Sequence, residues 1–221
     1  MNGKVGIVAT FLGSIEEIRE RFKIDLPGVR TAVILDDDML MEALTFKGHT
    51  PSVVSRMCGY FRNAEAIGCD CILSQCSSMG EAADIAAKTV RIPLFKIDYP
   101  MMKEAVTLGK NIAVIATAIS TVGPSTRLAE RAAADLGKQV TVRTEYVENA
   151  YDAVLGGDKA THDRLVTDHI RKVAEECDVI VLAQGSLFRL LPQLGDVKTP
   201  ILSSTISGVA QLKPFFNGHA T

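Results

Sequence analysis

The sequence predicts an α/β fold of two pseudo-symmetric lobes, each a mainly parallel sheet flanked by helices. Three observations lead there. Apolar runs of four to seven residues, rich in Val and Ile, alternate with helical patterns, the rhythm of strand–helix units around a parallel sheet. Glycine stands just past three of the helical patterns, at Gly68, Gly109 and Gly137, where it stops a helix because it tolerates the left-handed conformation. Finally, the first half of the chain recurs in the second.

In chain order, the Val/Ile runs place strands at Val5–Ala9, Thr31–Leu35, Cys71–Ser74, Leu94–Ile97, Ile112–Ala116, Val140–Tyr146, Val179–Ala183 and Ile201–Ser203. Apolar positions spaced by three and four place helices between them, at Ile15–Arg21, Ser52–Ile67, Glu81–Lys88, Tyr99–Leu108, Ser125–Leu136 and Thr161–Glu176.

The repeat is carried by three blocks in the same order. Gly3-Lys4-Val5-Gly6-Ile7-Val8-Ala9-Thr10 resembles Gly109-Lys110-Asn111-Ile112-Ala113-Val114-Ile115-Ala116-Thr117. Cys69-Asp70 with Ile72-Leu73-Ser74-Gln75-Cys76-Ser77 resembles Cys177-Asp178 with Ile180-Val181-Leu182-Ala183-Gln184-Gly185-Ser186, and Ile92-Pro93-Leu94 resembles Thr199-Pro200-Ile201. The offsets are near 107 to 109 residues, with a single-residue indel allowed in the middle block. The predicted lobes are therefore residues 1–108 and 109–221, the C-terminal segment being free to cross back to the first lobe. Such a duplication predicts an active site in a cleft between the lobes, at the strand C-termini. The turns Thr10-Phe11-Leu12-Gly13-Ser14 and Thr117-Ala118-Ile119-Ser120-Thr121 supply hydroxyls and helix N-termini suited to a carboxylate.

Composition narrows the function classes. At 47% apolar and 23% charged residues with a formal net charge of −2, the chain carries no nucleic-acid footprint and no polybasic membrane patch. No run approaches the roughly 20 apolar residues of a membrane helix. The N-terminus shows no cationic lead or cleavage site, and the expected location is the cytoplasm. The five cysteines, Cys58, Cys69, Cys71, Cys76 and Cys177, are odd in number and agree with a reducing compartment. Cys69-x-Cys71 on a strand points its two thiols to opposite faces, against a metal site. Asp36-Asp37-Asp38 reads either as oxygen ligands for a cation or as a solvated turn or helix start; no metal is assigned.

Cys76 is the best acid/base or nucleophile candidate. It lies where the run Ile72-Leu73-Ser74 ends and the helix start Gly80-Glu81-Ala82-Ala83 begins, and unpaired N–H groups there are expected to lower a thiol's pKa. Thr10, Ser14, Ser77, Ser78, Thr117 and Thr121 are candidate substrate-binding hydroxyls, and all also suit helix capping. His49 offers a second acid/base or a loop residue near a cap. His162 reads as a surface or capping residue, His169 as solvated, His219 as part of a frayed tail. Lys96 reads as a carboxylate or enolate ligand or as a snorkelling edge residue.

Together, the duplicated lobes, the strand-end cysteine followed by small hydroxyl residues, and the runs Arg91-Ile92-Pro93-Leu94-Phe95-Lys96-Ile97-Asp98, Gly123-Pro124-Ser125-Thr126-Arg127-Leu128 and Leu182-Ala183-Gln184-Gly185-Ser186 resemble the aspartate/glutamate/hydantoin racemase superfamily over nearly the whole chain. The resemblance implies cofactor-independent proton transfer at the carbon alpha to a carboxylate of a small acid, with Cys76 as the first-lobe acid/base, in a homodimer or higher homo-oligomer. It also implies that Ser77, Ser78 and Thr117 match carboxylate-binding positions. In racemases of that superfamily each lobe supplies one cysteine, and here the letters match the second to Gly185, leaving Gly185 and Ser186 to offer an oxyanion hole. A single-cysteine decarboxylase or lyase and a non-catalytic carboxylate-binding protein are the alternatives.

Overall fold

The computed structural model describes residues 3–218, so His219 lies outside the described residues. The elements run β1 (Gly3–Ala9), α1 (Ile15–Asp25), β2 (Val29–Leu35), α2 (Asp38–Phe46), α3 (Pro51–Ala66), β3 (Cys71–Ser74), α4 (Gly80–Ala86), β4 (Leu94–Lys96) and α5 (Tyr99–Leu108). They continue with β5 (Asn111–Ala116), α6 (Ile119–Asp135), β6 (Thr141–Tyr146), α7 (Ala150–Leu155), α8 (Lys159–Val173), β7 (Val179–Leu182), a 3₁₀ segment at Gly185–Leu194, β8 (Ile201–Ser203), α9 (Ser204–Ala210) and α10 (Leu212–Gly218). The chain divides into two units, residues 1–100 with 205–221, and residues 101–204. Each holds a four-stranded parallel sheet, ordered β2-β1-β3-β4 in the first and β6-β5-β7-β8 in the second. The same order in both sheets is the structural form of the repeat.

In the first unit the sheet is covered on both faces, and strand alternation decides which side chain goes where. Val5, Ile7 and Ala9 of β1 with Cys71 and Leu73 of β3 pack against Ile15, Ile18 and Phe22 of α1, Val209 of α9 and Leu212 and Phe216 of α10. Val8 and Ile72 face the other way, onto Met39 of α2, Met57 and Phe61 of α3 and Met79 with Ala82 and Ala83 at α4. In the second unit Ala113, Ile115, Ile180 and Leu182 pack against Val166 and Ile170 of α8 and against Leu187, Leu190 and Leu194 of the 3₁₀ segment.

Both sheets are clamped at their N-terminal edge by the aspartate of the Cys-Asp pair. Asp70 Oδ2 accepts from Lys4 N at 2.7 Å. Asp178 Oδ2 accepts from Lys110 N and Asn111 N at 2.8 Å each, and these two N–H groups hold its carboxyl below the usual range. This clamp explains Gly109 differently from the helix-stop reading. Gly68 and Gly137 have φ of 77° and 61°, as a left-handed stop requires, whereas Gly109 has no positive φ. A Cβ on Gly109 would lie 2.3 Å from Asp178 Cβ, so close approach excludes a side chain there.

The acidic run takes the helix-start reading: it opens α2, and Arg56 of α3 gathers Asp36, Asp38 and Glu42 at 2.6–3.1 Å while Tyr60 donates to Asp36 at 2.6 Å. Helix α6 starts six residues before the expected Ser125 and runs through Pro124, because the buried face formed by Ser120, Thr121, Ser125 and Leu128 outweighs one lost backbone bond.

Two predictions test this packing. A Cβ on Gly208 of α9 would meet Ile97 O at 2.3 Å, so Gly208→Ala should lose about 1–3 kcal/mol in urea unfolding. Asp25 of α1 is buried, which alone would raise its pKa, but bonds from Lys213 of α10 and from Arg21 outweigh burial and leave it lowered. A depressed carboxylate contributes stability above its unfolded pKa and loses it as pH falls through its folded value. Asp25→Asn should therefore cost about 1–2 kcal/mol at neutral pH, a modest figure because Lys213 is partly solvated, and the difference from the parent should vanish in acid.

Candidate active site

The last ladder bond of β3 runs from Gln75 N to Val8 O at 2.9 Å, after which the chain stays extended for one residue, Cys76, and turns through the 3₁₀ residues Ser77–Met79 into α4. Alternation carried past Ile72 puts Cys76 on the α2–α4 face, where it packs half-buried against the apolar cluster. The same alternation carried from Val8 puts Thr10 there too. Thr10 is 1% exposed, and its hydroxyl has no conventional hydrogen-bond partner in the resting protein but stands beside the thiol as a donor to the thiolate.

Burial pushes the Cys76 thiol up from its ordinary value, while Thr10, the backbone N–H groups of Ser78 and Met79 and the Ser78 hydroxyl pull it down. Burial wins, which corrects the expectation of a lowered pKa: donors at the turn do not fully replace the water that packing removes. The resting group is thus a neutral thiol with donors already aimed at the charge it would carry, an arrangement suited to giving and taking a proton.

One residue the sequence reading missed completes this face. The bond Ile97 N to Ser74 O (3.0 Å) extends the β3–β4 pairing beyond Lys96 and sets Asp98, 3% exposed, beside Ser77. Burial raises the Asp98 pKa, and the Ser77 hydroxyl and the Lys96 ammonium act against it. Lys96 ends the edge strand β4 but does not snorkel into solvent: its Nζ lies 2.9 Å from Asp84 of α4, and its side chain is 12% exposed. The spacing Lys96-x-Asp98 at a strand end was the available signal, since alternation places both on the face of Cys76.

Ser14 belongs elsewhere. Its hydroxyl donates to Phe11 O at 3.0 Å and accepts from Gln75 Nε2 at 2.7 Å, and Gln75 points to the α1 face. Ser14 has one hydrogen, so Gln75 must donate with its nitrogen and its Oε1 is left buried without a partner. The structure thus gathers Thr10, Ser77 and Ser78 around Cys76 and sets Ser14 apart. His49 Nδ1 lies 3.7 Å from Glu81 of α4.

In the second unit, backbone bonds revise the repeat alignment. Gln75 N bonds Val8 O as Ala183 N bonds Ile115 O, and Met79 N bonds Cys76 O as Leu187 N bonds Gln184 O, at 2.9 and 3.0 Å in both cases. Cys76 and Gln184 each take the extended position before a 3₁₀ turn. The residue matching Cys76 is therefore Gln184, not Gly185, and no indel interrupts the block. Gly185 matches Ser77 and Ser186 matches Ser78. Just as Thr10 faces Cys76, Thr117 faces Gln184, whose Oε1 accepts from Thr117 N at 2.6 Å, Thr117 Oγ1 at 3.1 Å and Ala118 N at 3.4 Å. Thr117 is consumed by this contact, and Thr121, 2% exposed, lies in the first turn of α6. His162 is buried rather than on the surface, bonded to Asp163 and Arg189, and His169 pairs with Glu145 at 3.0 Å.

Residues 27–212 match the family described as Asp/Glu/Hydantoin racemase. Comparison with curated protein sequences gives no match. Among solved structures, glutamate racemase isoform RacE1 from Bacillus anthracis is similar with 16% identity and a TM-score of 0.76, over 99% of this chain and 83% of that one. The aspartate racemase of Picrophilus torridus gives 18% and 0.71 over 98% and 95%, and the allantoin racemase of Klebsiella pneumoniae 13% and 0.65 over 99% and 89%. At these identities the likeness establishes the two-lobed fold.

Because burial holds the Cys76 thiol high, its alkylation by iodoacetamide, followed by peptide mass spectrometry, should be slow at pH 7 and climb in the alkaline range. Thr10→Val removes one donor to the thiolate and should move that midpoint up by roughly 0.5–1 pH unit, the equivalent of one hydrogen bond. An unchanged midpoint would remove Thr10 from the thiol's environment.

Proposed function

Because the chain belongs to the Asp/Glu/hydantoin racemase family, we propose that it is a cofactor-independent isomerase-type enzyme that moves a proton at the carbon alpha to a carboxylate of a small acid, with Cys76 as the acid/base. The observation that carries this reading is the Cys76 thiol held half-buried among Thr10 Oγ1 and the N–H groups of Ser78 and Met79. An α-hydrogen beside a carboxylate is weakly acidic, so its removal needs a base that becomes strong only in a dry site. A thiolate raised by burial meets that need, and the surrounding donors limit the cost of forming it. Ser77, fixed by Asp98, and Ser78 supply polar contacts next to the sulfur. The structural neighbours are racemases of glutamate, aspartate and allantoin, and these compounds are the first substrates to try.

A second reading, a decarboxylase or lyase working with one cysteine, is favoured by Gln184 at the matched place in the second repeat. In a decarboxylation the carboxyl group leaves as carbon dioxide and the thiol protonates the resulting carbanion.

Proton NMR in deuterium oxide with both enantiomers of aspartate and glutamate, and with allantoin, tests the proposal. The parent protein should exchange the α-hydrogen, and Cys76→Ala should lose at least about 100-fold in rate with its circular dichroism and melting temperature unchanged. Full exchange by that variant sinks Cys76 as the acid/base; carbon dioxide release without exchange selects the second reading.

A further inference from the structure

The two repeats hold the turns at their strand ends by different means. In the second unit the amide of Gln184 reaches the turn after β5, its Oε1 accepting from Thr117 N, Thr117 Oγ1 and Ala118 N. In the first unit Cys76 takes the matching place, and a neutral thiol is too weak an acceptor to do the work of an amide oxygen. The turn after β1 needs another tie.

That tie lies on the opposite face of the same sheet. Gln75 Nε2 donates to Ser14 Oγ at 2.7 Å, and Ser14 Oγ donates to Phe11 O at 3.0 Å. Both residues are buried, at 9% and 3% exposure. Gln75 directly precedes Cys76 and Phe11 directly follows Thr10, so the link joins the two backbones one residue away from the thiol and from the hydroxyl beside it. The second unit cannot form this link, because Ala183 stands in the place of Gln75 and carries no polar group. Where the repeat has a thiol, the tie sits on the α1 face; where it has an amide, the amide is the tie.

Stability by itself is a poor reason for this arrangement. Ser14 gives its one hydrogen to Phe11 O, which commits the Gln75 nitrogen and leaves Gln75 Oε1 buried with no partner among the described residues. Ser14 is also drawn away from the helix it precedes. Ser14-Ile15-Glu16-Glu17 has the capping-box pattern, yet the Ser14 side chain makes no capping bond to α1. An unpaired buried carbonyl and an uncapped helix both cost stability, and positions that break local rules in this way are those where function sets the structure.

We propose that Ser14 and Gln75 are positioning residues, whose hydrogen bond across the ends of β1 and β3 holds the Thr10 hydroxyl against the Cys76 sulfur. Both lie on the face away from that sulfur. The inference rests on Cys76 as the working group, but it is read on the thiol itself and not on turnover.

The pH midpoint of Cys76 alkylation by iodoacetamide, followed by peptide mass spectrometry, decides it. Gln75→Met keeps the length and apolar packing while removing the donor, and it should raise the midpoint by roughly 0.5–1 pH unit, as Thr10→Val does. Its melting temperature should stay level or rise, because the unpaired oxygen goes too. Ser14→Ala cuts the link from the α1 side and should shift the midpoint by the same amount. The charged groups on the thiol's face, Lys96 and Asp98 at the end of β4 and Asp84 of α4, are untouched by either change. Adding Gln75→Met to Thr10→Val should move the midpoint no further than Thr10→Val alone, since both act through one donor. An unmoved midpoint in a folded Gln75→Met or Ser14→Ala protein overturns the proposal, and so does a fully additive shift in the double variant. A parent protein that exchanges no α-hydrogen defeats Cys76 as acid/base; midpoints that still shift as stated keep Ser14 and Gln75 as the residues that hold Thr10 on the thiol.

Discussion

Parallel pairing of β1 with β3, and of β5 with β7, sets the remaining relations in each unit. The register Val5 to Cys71 and Ile112 to Val179 is held by backbone bonds along the strands and by an aspartate clamp at their start. Because each sheet is covered on both faces, a slip of one residue would turn every buried side chain to the wrong side. That cost keeps the register exact to the end of the strand, and the first residues past the end inherit it. Thr10 and Cys76 meet because Val8 and Ile72 share a face, although Thr10 lies outside β1 and Cys76 outside β3.

The thiol's behaviour follows from this inheritance. A cysteine on a solvated loop would titrate near its ordinary value and make a poor base for a carbon acid. Packed against the α2–α4 cluster it loses water, which raises its pKa, and the turn it opens returns part of that loss through N–H groups and hydroxyls. Asp98 and Lys96 belong to the same compromise. The carboxyl is buried beside Ser77, and the ammonium that tempers it is itself held on Asp84.

The duplication kept its mechanical parts more faithfully than its chemical ones. The clamps at Asp70 and Asp178 serve matching roles, and the threonines at 10 and 117 occupy matching places. At the next level the repeats part: a thiol that titrates in one, an amide that anchors its own threonine in the other. Thr117 spends its N–H and hydroxyl on Gln184, whereas the Thr10 hydroxyl is held in reserve for the Cys76 charge.

All eight strands were legible in the sequence, because runs of Val and Ile bounded by turn residues leave few other options. So were the repeat, the two parallel sheets and Cys76 at a strand end. Helices α2, α7, α9 and α10 were not, being short and stabilised by tertiary contacts such as Arg56 on the acidic run, Lys213 on Asp25 and Gly208 against Ile97. Nor was Asp98, whose role depends on a neighbouring strand. Letters alone paired Gln75-Cys76-Ser77 with Gln184-Gly185-Ser186, since both read Gln-x-Ser. The sequence by itself determined which segments are strands and that they come twice. Only the tertiary structure decided that Cys76 answers to Gln184, because register is counted in backbone bonds between distant segments, and side-chain identity does not enter that count.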